Sequence, residues 1–350
     1  MSKEKHNSYC GIGGQAVLEG VMMKNRERYA VSVRKPDGTI ETKTDEYKGI
    51  WGDKKITKLP FVRGVFNFID SMVLGMQTLT WSAEFFEEDE QAKPGKFEQF
   101  LTKVFGEKAE KVIMGMTIAF SIVMAVAIFM ILPYWISSFF GGFVRNLTLL
   151  AVLEGVLRIL IFLAYVVMIS AMKDIRRVYM YHGAEHKCIN CIENGRELNV
   201  HNVRNSSREH KRCGTSFLLF VMVVSVVLFM FIRVSDPVWR LLIRLLLIPV
   251  IAGISYELIR LAGRSDNPVI GLLSAPGLLL QKLTTKEPDD DMIEIAIASV
   301  EAVFDWRAYL KDNFGFVAPE ASGSAAEGEA AASKNSAVSA EAVSEDGADK

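Results

Sequence analysis

The chain has 350 residues, of which 50% are apolar, and 40 Lys and Arg against 41 Asp and Glu leave a formal net charge of −1. That balance fits a globular or a membrane protein and gives no reason to expect nucleic acid as a partner, so the distribution of apolar residues has to decide. The 4 cysteines all fall on the cytoplasmic side of the topology derived below, where metal binding or plain burial is expected instead of a disulfide framework.

Residues 1–25 are polar and glycine-rich with no apolar core, so no cleavable secretion signal is visible and insertion by internal spans is expected. The segment from Gly11 to Gly20 reads as a loop feeding a strand over 15–23. Its glycines fit close backbone packing better than a phosphate loop, because no G-K-[ST] follows. Alternation over 29–34, the turn Pro36-Asp37-Gly38 and the threonine-rich 39–44 predict a hairpin, giving a small cytoplasmic β-rich unit at 9–58. Residues 59–86 read as an amphipathic, interfacial helix with a narrow polar stripe of Arg63, Asn67, Asp70 and Gln77; Arg63 and Asp70 would both be costly at mid-bilayer. A charged linker follows at 87–111.

The region 112–264 reads as a four-helix transmembrane domain with spans at 112–144, 147–172, 214–232 and 239–262. The first of these has no charge and exceeds the roughly 20 residues a crossing needs. Lys93, Lys96, Lys103, Lys108 and Lys111 precede the first span, whereas the turn to the second holds only Arg145. The loop 173–213 is again basic, with Lys173, Arg176, Arg177, Lys187, Arg196, Arg204, Arg208, Lys211 and Arg212. The chain is therefore expected to be multi-pass, with this loop and both termini cytoplasmic. Residues 265–314 form a cytoplasmic or interfacial segment: 268–283 is apolar and membrane-hugging or re-entrant, and Asp289-Asp-Asp291 caps a helix running to about Leu310. The stretch 315–350 has the composition of a disordered tail. The fold class is thus a mainly α-helical integral membrane protein with about four transmembrane helices, interfacial helices and a small N-terminal β unit.

Chemistry concentrates at one mouth of the bundle. His182-Gly183-Ala184-Glu185-His186 follows the second span and His210-Lys211-Arg212-Cys213 precedes the third. On a helix, His182 and His186 share a face with Glu185 beside them, the layout of an H-x-x-E-H zinc hydrolase, in which two imidazoles hold the metal and the carboxylate is the base. A helical hairpin would bring His210 and Cys213 to the same place, and Glu257, a turn and a half inside the fourth span, lies at similar depth. His210, Cys213 or Glu257 would complete the shell of a divalent metal, with zinc expected, and Glu185 would be the catalytic base. Cys188 and Cys191 form a single C-x-x-C that would serve a closed structural zinc site or a dithiol. Glu154 and Arg158, four apart in the second span, read as a structural pair.

The blocks Gly13-Gly-Gln-Ala-Val-Leu-Glu-Gly-Val-Met-Met23, Tyr181-His-Gly-Ala-Glu-His-Lys187, Cys213-Gly-Thr-Ser-Phe217 and Ile254-Ser-Tyr-Glu-Leu-Ile-Arg-Leu-Ala-Gly263 resemble the signature blocks of the YqhQ-like bacterial membrane proteins. The resemblance runs over about 11–304. It implies a bacterial cytoplasmic-membrane location and a domain of unknown function that carries a metal-dependent-enzyme label without a substrate. Lys211 stands where the family usually has proline, and Cys188 and Cys191 lie outside the blocks, which lowers the dithiol and structural-zinc readings. The expected function is a metal-dependent hydrolase at the cytoplasmic interface, acting on a small molecule, lipid or peptide. The alternative is a non-enzymatic membrane scaffold or accessory subunit, its basic loop on anionic lipid, with a homo-oligomer or another protein as partner. A transporter fits poorly, since no inverted repeat is evident.

Overall fold

The computed structural model describes residues 9–52, 54–86, 102–106, 109–144, 146–232, 234, 236–263 and 267–316. Most of the expected linker, and the expected tail from 317 on, lie outside these residues.

Four strands, β1 (Ile12–Val17), β2 (Gly20–Asn25), β3 (Arg28–Arg34) and β4 (Ile40–Glu46), form an antiparallel meander in sequence order. The hairpin over 29–44 is present as β3 and β4, its turn closed by Asp37 Oδ1, which accepts the Thr39 amide at 2.8 Å. The single strand expected over 15–23 is instead two, folded back at Leu18-Glu19 so that Val17 pairs with Gly20. Two observations account for the turn. Glu19 takes a positive φ of 49° while its carboxylate is held by Arg177 and by the Tyr181 hydroxyl at 3.2 Å. Gly20 packs its bare Cα against the Ser32 carbonyl, where any Cβ would clash.

Strand alternation divides the sheet into two faces. Ile12, Val21, Met23 and Ala30 pack on one side against two helices, Lys173–Glu193 and Asp290–Val303; Val17, Met22, Val31 and Val33 pack on the other with Leu74. Leu74 belongs to α1 (Val62–Ala83), which also supplies the Ser71 carbonyl to Gln15 Nε2 and the Ser82 hydroxyl to the Leu18 amide. Three residues of the polar stripe of α1 bond to protein: Arg63 pairs with Glu257, Asn67 donates to the Tyr256 hydroxyl at 2.7 Å, and Asp70 accepts the Ile50 amide at 2.9 Å, while Gln77 is exposed. Its exposed face is Phe68, Met72, Met76 and Leu79. β4, the edge strand, is exposed throughout and carries Glu41, Lys43, Asp45 and Glu46, charges that discourage pairing with another sheet.

The apolar helices follow. α2 (Ala109–Val126) passes through one π turn (Ala127–Ile131) into α3 (Leu132–Phe139), and α4 spans Leu147–Ser170. Val112–Gly142, with 31 residues, and Thr148–Ser170, with 23, are long and apolar enough to cross a membrane. α7 (Gly214–Met230) is apolar but has 17 residues, and at about 1.5 Å per residue it falls short of the ~30 Å hydrocarbon core. α8 (Pro237–Leu246) and α9 (Ile248–Ala262) are bent by 41° at Leu247, just before Pro249, and count as one further span if taken together. The described residues therefore hold two helices that meet the length and composition of a crossing, or up to three with the bent pair, where four were expected.

α5 (Lys173–Glu193) starts after a break at 171–172, with α6 (Val200–Arg204) beyond it, so most of the expected loop 173–213 is folded structure. The apolar 268–283 is a helix, α10 (Pro268–Thr284). α11 (Asp290–Val303) lies across the sheet beside α5, with Ile293, Ala296 and Val300 in the shared core and Ser299 Oγ donating to the Val21 carbonyl at 2.6 Å. The one helix expected from 289 to 310 is two, because Phe304 is extended and Asp305 caps α12 (Trp306–Phe314) by accepting the Ala308 amide at 2.9 Å.

Candidate metal centre

α5 is set by its neighbours on both sides. Tyr181, Ala184, Cys188 and Ile192 recur at helical spacing and bury against the sheet and α11. That fixes the adjacent face, with His182, Glu185, His186 and Ile189, toward the gap between sheet and apolar bundle. Gly183 is required within the pentad because the strand-like segment after α10 crosses there. The Lys286 amide donates to the Tyr179 carbonyl at 2.8 Å, and a Cβ at 183 would run into the Lys286 carbonyl oxygen.

Both histidines use Nδ1 on backbone. His182 Nδ1 lies 2.9 Å from the Thr284 carbonyl and His186 Nδ1 lies 2.6 Å from the Arg208 carbonyl. A carbonyl only accepts, so each Nδ1 carries a proton, which in the neutral ring leaves the lone pair on Nε2. His182 Nε2 stands 3.2 Å from Cys213 Sγ, and one donor atom from each of His182, His186 and Cys213 lies within 4.8 Å of the others. Cys213 caps α7, with Sγ accepting the Thr215 amide at 3.4 Å. Glu185 is 5% exposed with a carboxylate oxygen 3.9 Å from His182 Nε2. Burial pushes its pKa above the ordinary carboxylate value, against the pull of His182 and the Gly14 backbone amide.

A cavity of about 230 Å³ joins these groups and is closed on the sheet side by Gly11, Gly13 and Gly14. Gly14 lets β1 come this near: a Cβ there would sit 2.9 Å from Glu185 Cγ and 2.5 Å from the Met22 carbonyl. Gly14 thus serves close packing, as expected, and what it approaches is the acid of the site, whereas a Cβ at Gly11 or Gly13 would meet nothing within 4 Å.

The remaining expected ligands divide. His210 lines the same cavity, its ring 5.7 Å from that of His186, yet its Nε2 faces Glu193 at 3.4 Å and Arg212 at 3.2 Å. Burial lowers the His210 pKa, opposed by Glu193. For Glu193, burial raises the pKa, but the bonds from His210, Arg212 and the Cys10 amide outweigh it and hold the carboxyl below its ordinary value. Glu257 is not brought to the site, because Arg63 takes its carboxylate with both arms of the guanidinium and the Phe61 amide donates to it at 3.1 Å. Cys188 and Cys191 face the sheet-side core, not the cavity; burial pushes the Cys191 thiol up to about 11 and holds the Cys188 thiol well above its ordinary value.

Three contributors were not singled out from sequence: Gly14, Glu193 and Gln281. Gln281 is fully buried; its Oε1 accepts the His210 amide at 2.8 Å while Nε2 donates to the His210 carbonyl and the Ser216 hydroxyl, each at 2.7 Å. The one available signal was a lone amide side chain in an apolar run. Five of the nine basic residues of 173–213 are paired within the fold: Arg177 with Glu19, Arg204 with Asp290, Lys187 and Arg208 with Glu287, and Arg212 with Glu193.

A family model described as Protein of unknown function (DUF1385) matches residues 59–306. The chain is 34% identical over 319 residues to "Uncharacterized protein YqhQ" of Bacillus subtilis (strain 168), covering 88% of this chain and 97% of that protein. No solved structure matches.

Proposed function

The chain belongs to the family described as Protein of unknown function (DUF1385), and from that premise we propose that it is a multi-pass membrane protein with a zinc-type site at its cytoplasmic face, acting as a metal-dependent hydrolase. The observation that carries the reading is the convergence of His182, His186 and Cys213 within 4.8 Å, beside a buried carboxylate and an open cavity. Two nitrogen donors and one sulfur suit zinc, and three protein ligands leave a position for substrate, as in catalytic sites. The backbone carbonyls on both Nδ1 atoms are the outer contacts that orient metal-binding imidazoles. Bound zinc supplies Lewis acidity. Glu185, buried on the cavity wall beside His182, does the proton work: a carboxylate oxygen takes a proton from an attacking water and passes it to the leaving group. His210, held by Glu193 and Arg212, orients the cavity wall, and Glu257 is left out of the ligand set.

Four crossings remain the proposed topology if α7 is counted and its shortfall is met by local bilayer thinning. The sheet, α5, α11 and α12 then stand on the cytoplasmic side, with the exposed face of α1 in the interface. Substrates are molecules that reach this depth: a lipid headgroup, a membrane-inserted peptide or a small amphiphile.

Purified protein analysed for elements should hold close to one zinc per chain, and His186→Ala or Cys213→Ser should lose most of it. Glu185→Gln should keep the metal and lose turnover. Metal-free protein that takes up neither zinc nor manganese would overturn the reading and favour a scaffold.

A further inference from the structure

At the end of the bundle away from the metal cluster, α3, α4, α7 and α8 enclose a second polar cavity of about 260 Å³, lined by Tyr134, Ser137, Glu154, Phe229, Arg240 and Arg244 among others. The two sites lie at opposite ends of α7, whose 17 residues correspond to about 25 Å of rise.

The charges here do not balance. Glu154 binds Arg244 with both oxygens and Arg158 with one, and all three residues are at least nine-tenths buried. Arg158 Nε donates to the Phe129 carbonyl at 2.9 Å, a carbonyl in the π turn. Arg240 lies over the Tyr134 ring at 4.9 Å and donates to the Val234 carbonyl, and both Arg158 and Arg244 flank Phe229. Glu154 is the one acid among the lining residues; Asp236, at the head of α8, is exposed and caps that helix by accepting the Trp239 amide. Among the described residues, two guanidiniums, those of Arg158 and Arg244, therefore share the one carboxylate of Glu154, and Arg240 lines the same cavity with a carbonyl and a ring, not an acid, against it. Arg244 Nε is buried without a hydrogen-bond partner. An excess of buried positive charge in an apolar bundle is costly unless an anion completes it.

We propose that this cavity binds a phosphate-type oxyanion, with Arg240 and Arg244 as its cationic partners and the Ser137 and Thr148 region as its polar wall. Planar guanidiniums suit an oxyanion with several acceptor oxygens. The volume is below that of a pocket for a drug-sized ligand, which suits a headgroup and not a whole lipid. Exposed Trp135, Phe143, Phe231 and Trp239 crowd the same helix ends, the pattern of aromatic side chains at a bilayer surface, so a phospholipid is the favoured source and free phosphate the other. The oxyanion chemistry stands whether or not the protein holds zinc; only the lipid source rests on the membrane reading.

The test is the thermal unfolding midpoint of the delipidated full-length protein in detergent, titrated with dioctanoyl phosphatidylglycerol, with inorganic phosphate, and with dioctanoylglycerol. Stabilisation by the phospholipid alone supports a lipid site; stabilisation by phosphate as well supports the oxyanion site with a soluble source. In either case Arg240→Ala should weaken the apparent affinity by roughly tenfold or more, the worth of one charged hydrogen bond, and Arg240→Lys should recover part of it. Comparing ligand-induced shifts within each variant removes any effect of the substitution on folding. Equal stabilisation by dioctanoylglycerol, no stabilisation by any of them, or an unchanged affinity in Arg240→Ala overturns the proposal.

Discussion

Gln281 illustrates how a single side chain holds a site together from outside it. It satisfies both backbone groups of His210 and the Ser216 hydroxyl, so it ties the approach to α7 against α10. Gln281→Leu keeps the volume but leaves a buried amide and carbonyl unpaired. The expected loss is about 2–6 kcal/mol of stability, from two unsatisfied buried groups at ~1–3 kcal/mol each. Chemical denaturation should show it, and a variant within 0.5 kcal/mol of the parent, roughly the scatter of surface substitutions, would rule the clamp out. At this scale much of the site was legible. His182, Glu185 and His186 declare themselves by helical spacing, and Cys213 by its place at the head of an apolar run. Gly14 and Gln281 were not legible as site residues, because their roles depend on contacts with Glu185 and His210 that are distant in sequence. Glu257 misled for the same reason: depth along a span says nothing about which neighbour takes the carboxylate, and here Arg63 of α1 does.

Among elements, the buried Glu154 group shows what local pairing hides. The spacing of Glu154 and Arg158 on α4 gives an i, i+4 pair, but the stronger partner, Arg244, comes from α8 and turns a pair into a bridge between helices. Glu154→Gln should therefore cost about 3–5 kcal/mol, because it strands two buried guanidiniums, whereas replacing Glu154, Arg158 and Arg244 together by leucine should be close to neutral. Unfolding in mixed micelles of rising SDS content distinguishes these outcomes; equal losses from the single and triple changes would contradict the bridge. Element boundaries were harder to read than element types. The strand over 15–23 and the helix over 289–310 each conceal a break, at Leu18-Glu19 and at Phe304-Asp305. In both places a side chain, Glu19 on Arg177 and Asp305 on the Ala308 amide, fixes a turn that the apolar pattern runs straight through.

For the whole molecule, the candidate metal site sits where two layers meet. His182 and His186 come from α5, which is packed into the sheet and α11, while Cys213 begins α7 of the apolar bundle. A metal held by all three would cross-link the sheet-bearing layer to the bundle, and its binding free energy would appear as resistance to their separation. At a free zinc concentration one hundred times the dissociation constant the gain is about 2.7 kcal/mol. Hydrogen exchange gives the spatial reading. On chelation, amides of α5 from Tyr181 to Ile189 and of the segment 208–216 should lose protection together, while the middle of α4, which supplies none of the three clustered donors, should change little. The same loss should follow from Cys213→Ser without chelator, since of the three clustered donors Cys213 is the one on the bundle. If chelation loosened α4 as much as α5, the metal would be stabilising the fold as one unit, and a link between two layers would be the wrong description. If Cys213→Ser left the protection of 208–216 unchanged, the histidines alone would hold the ion.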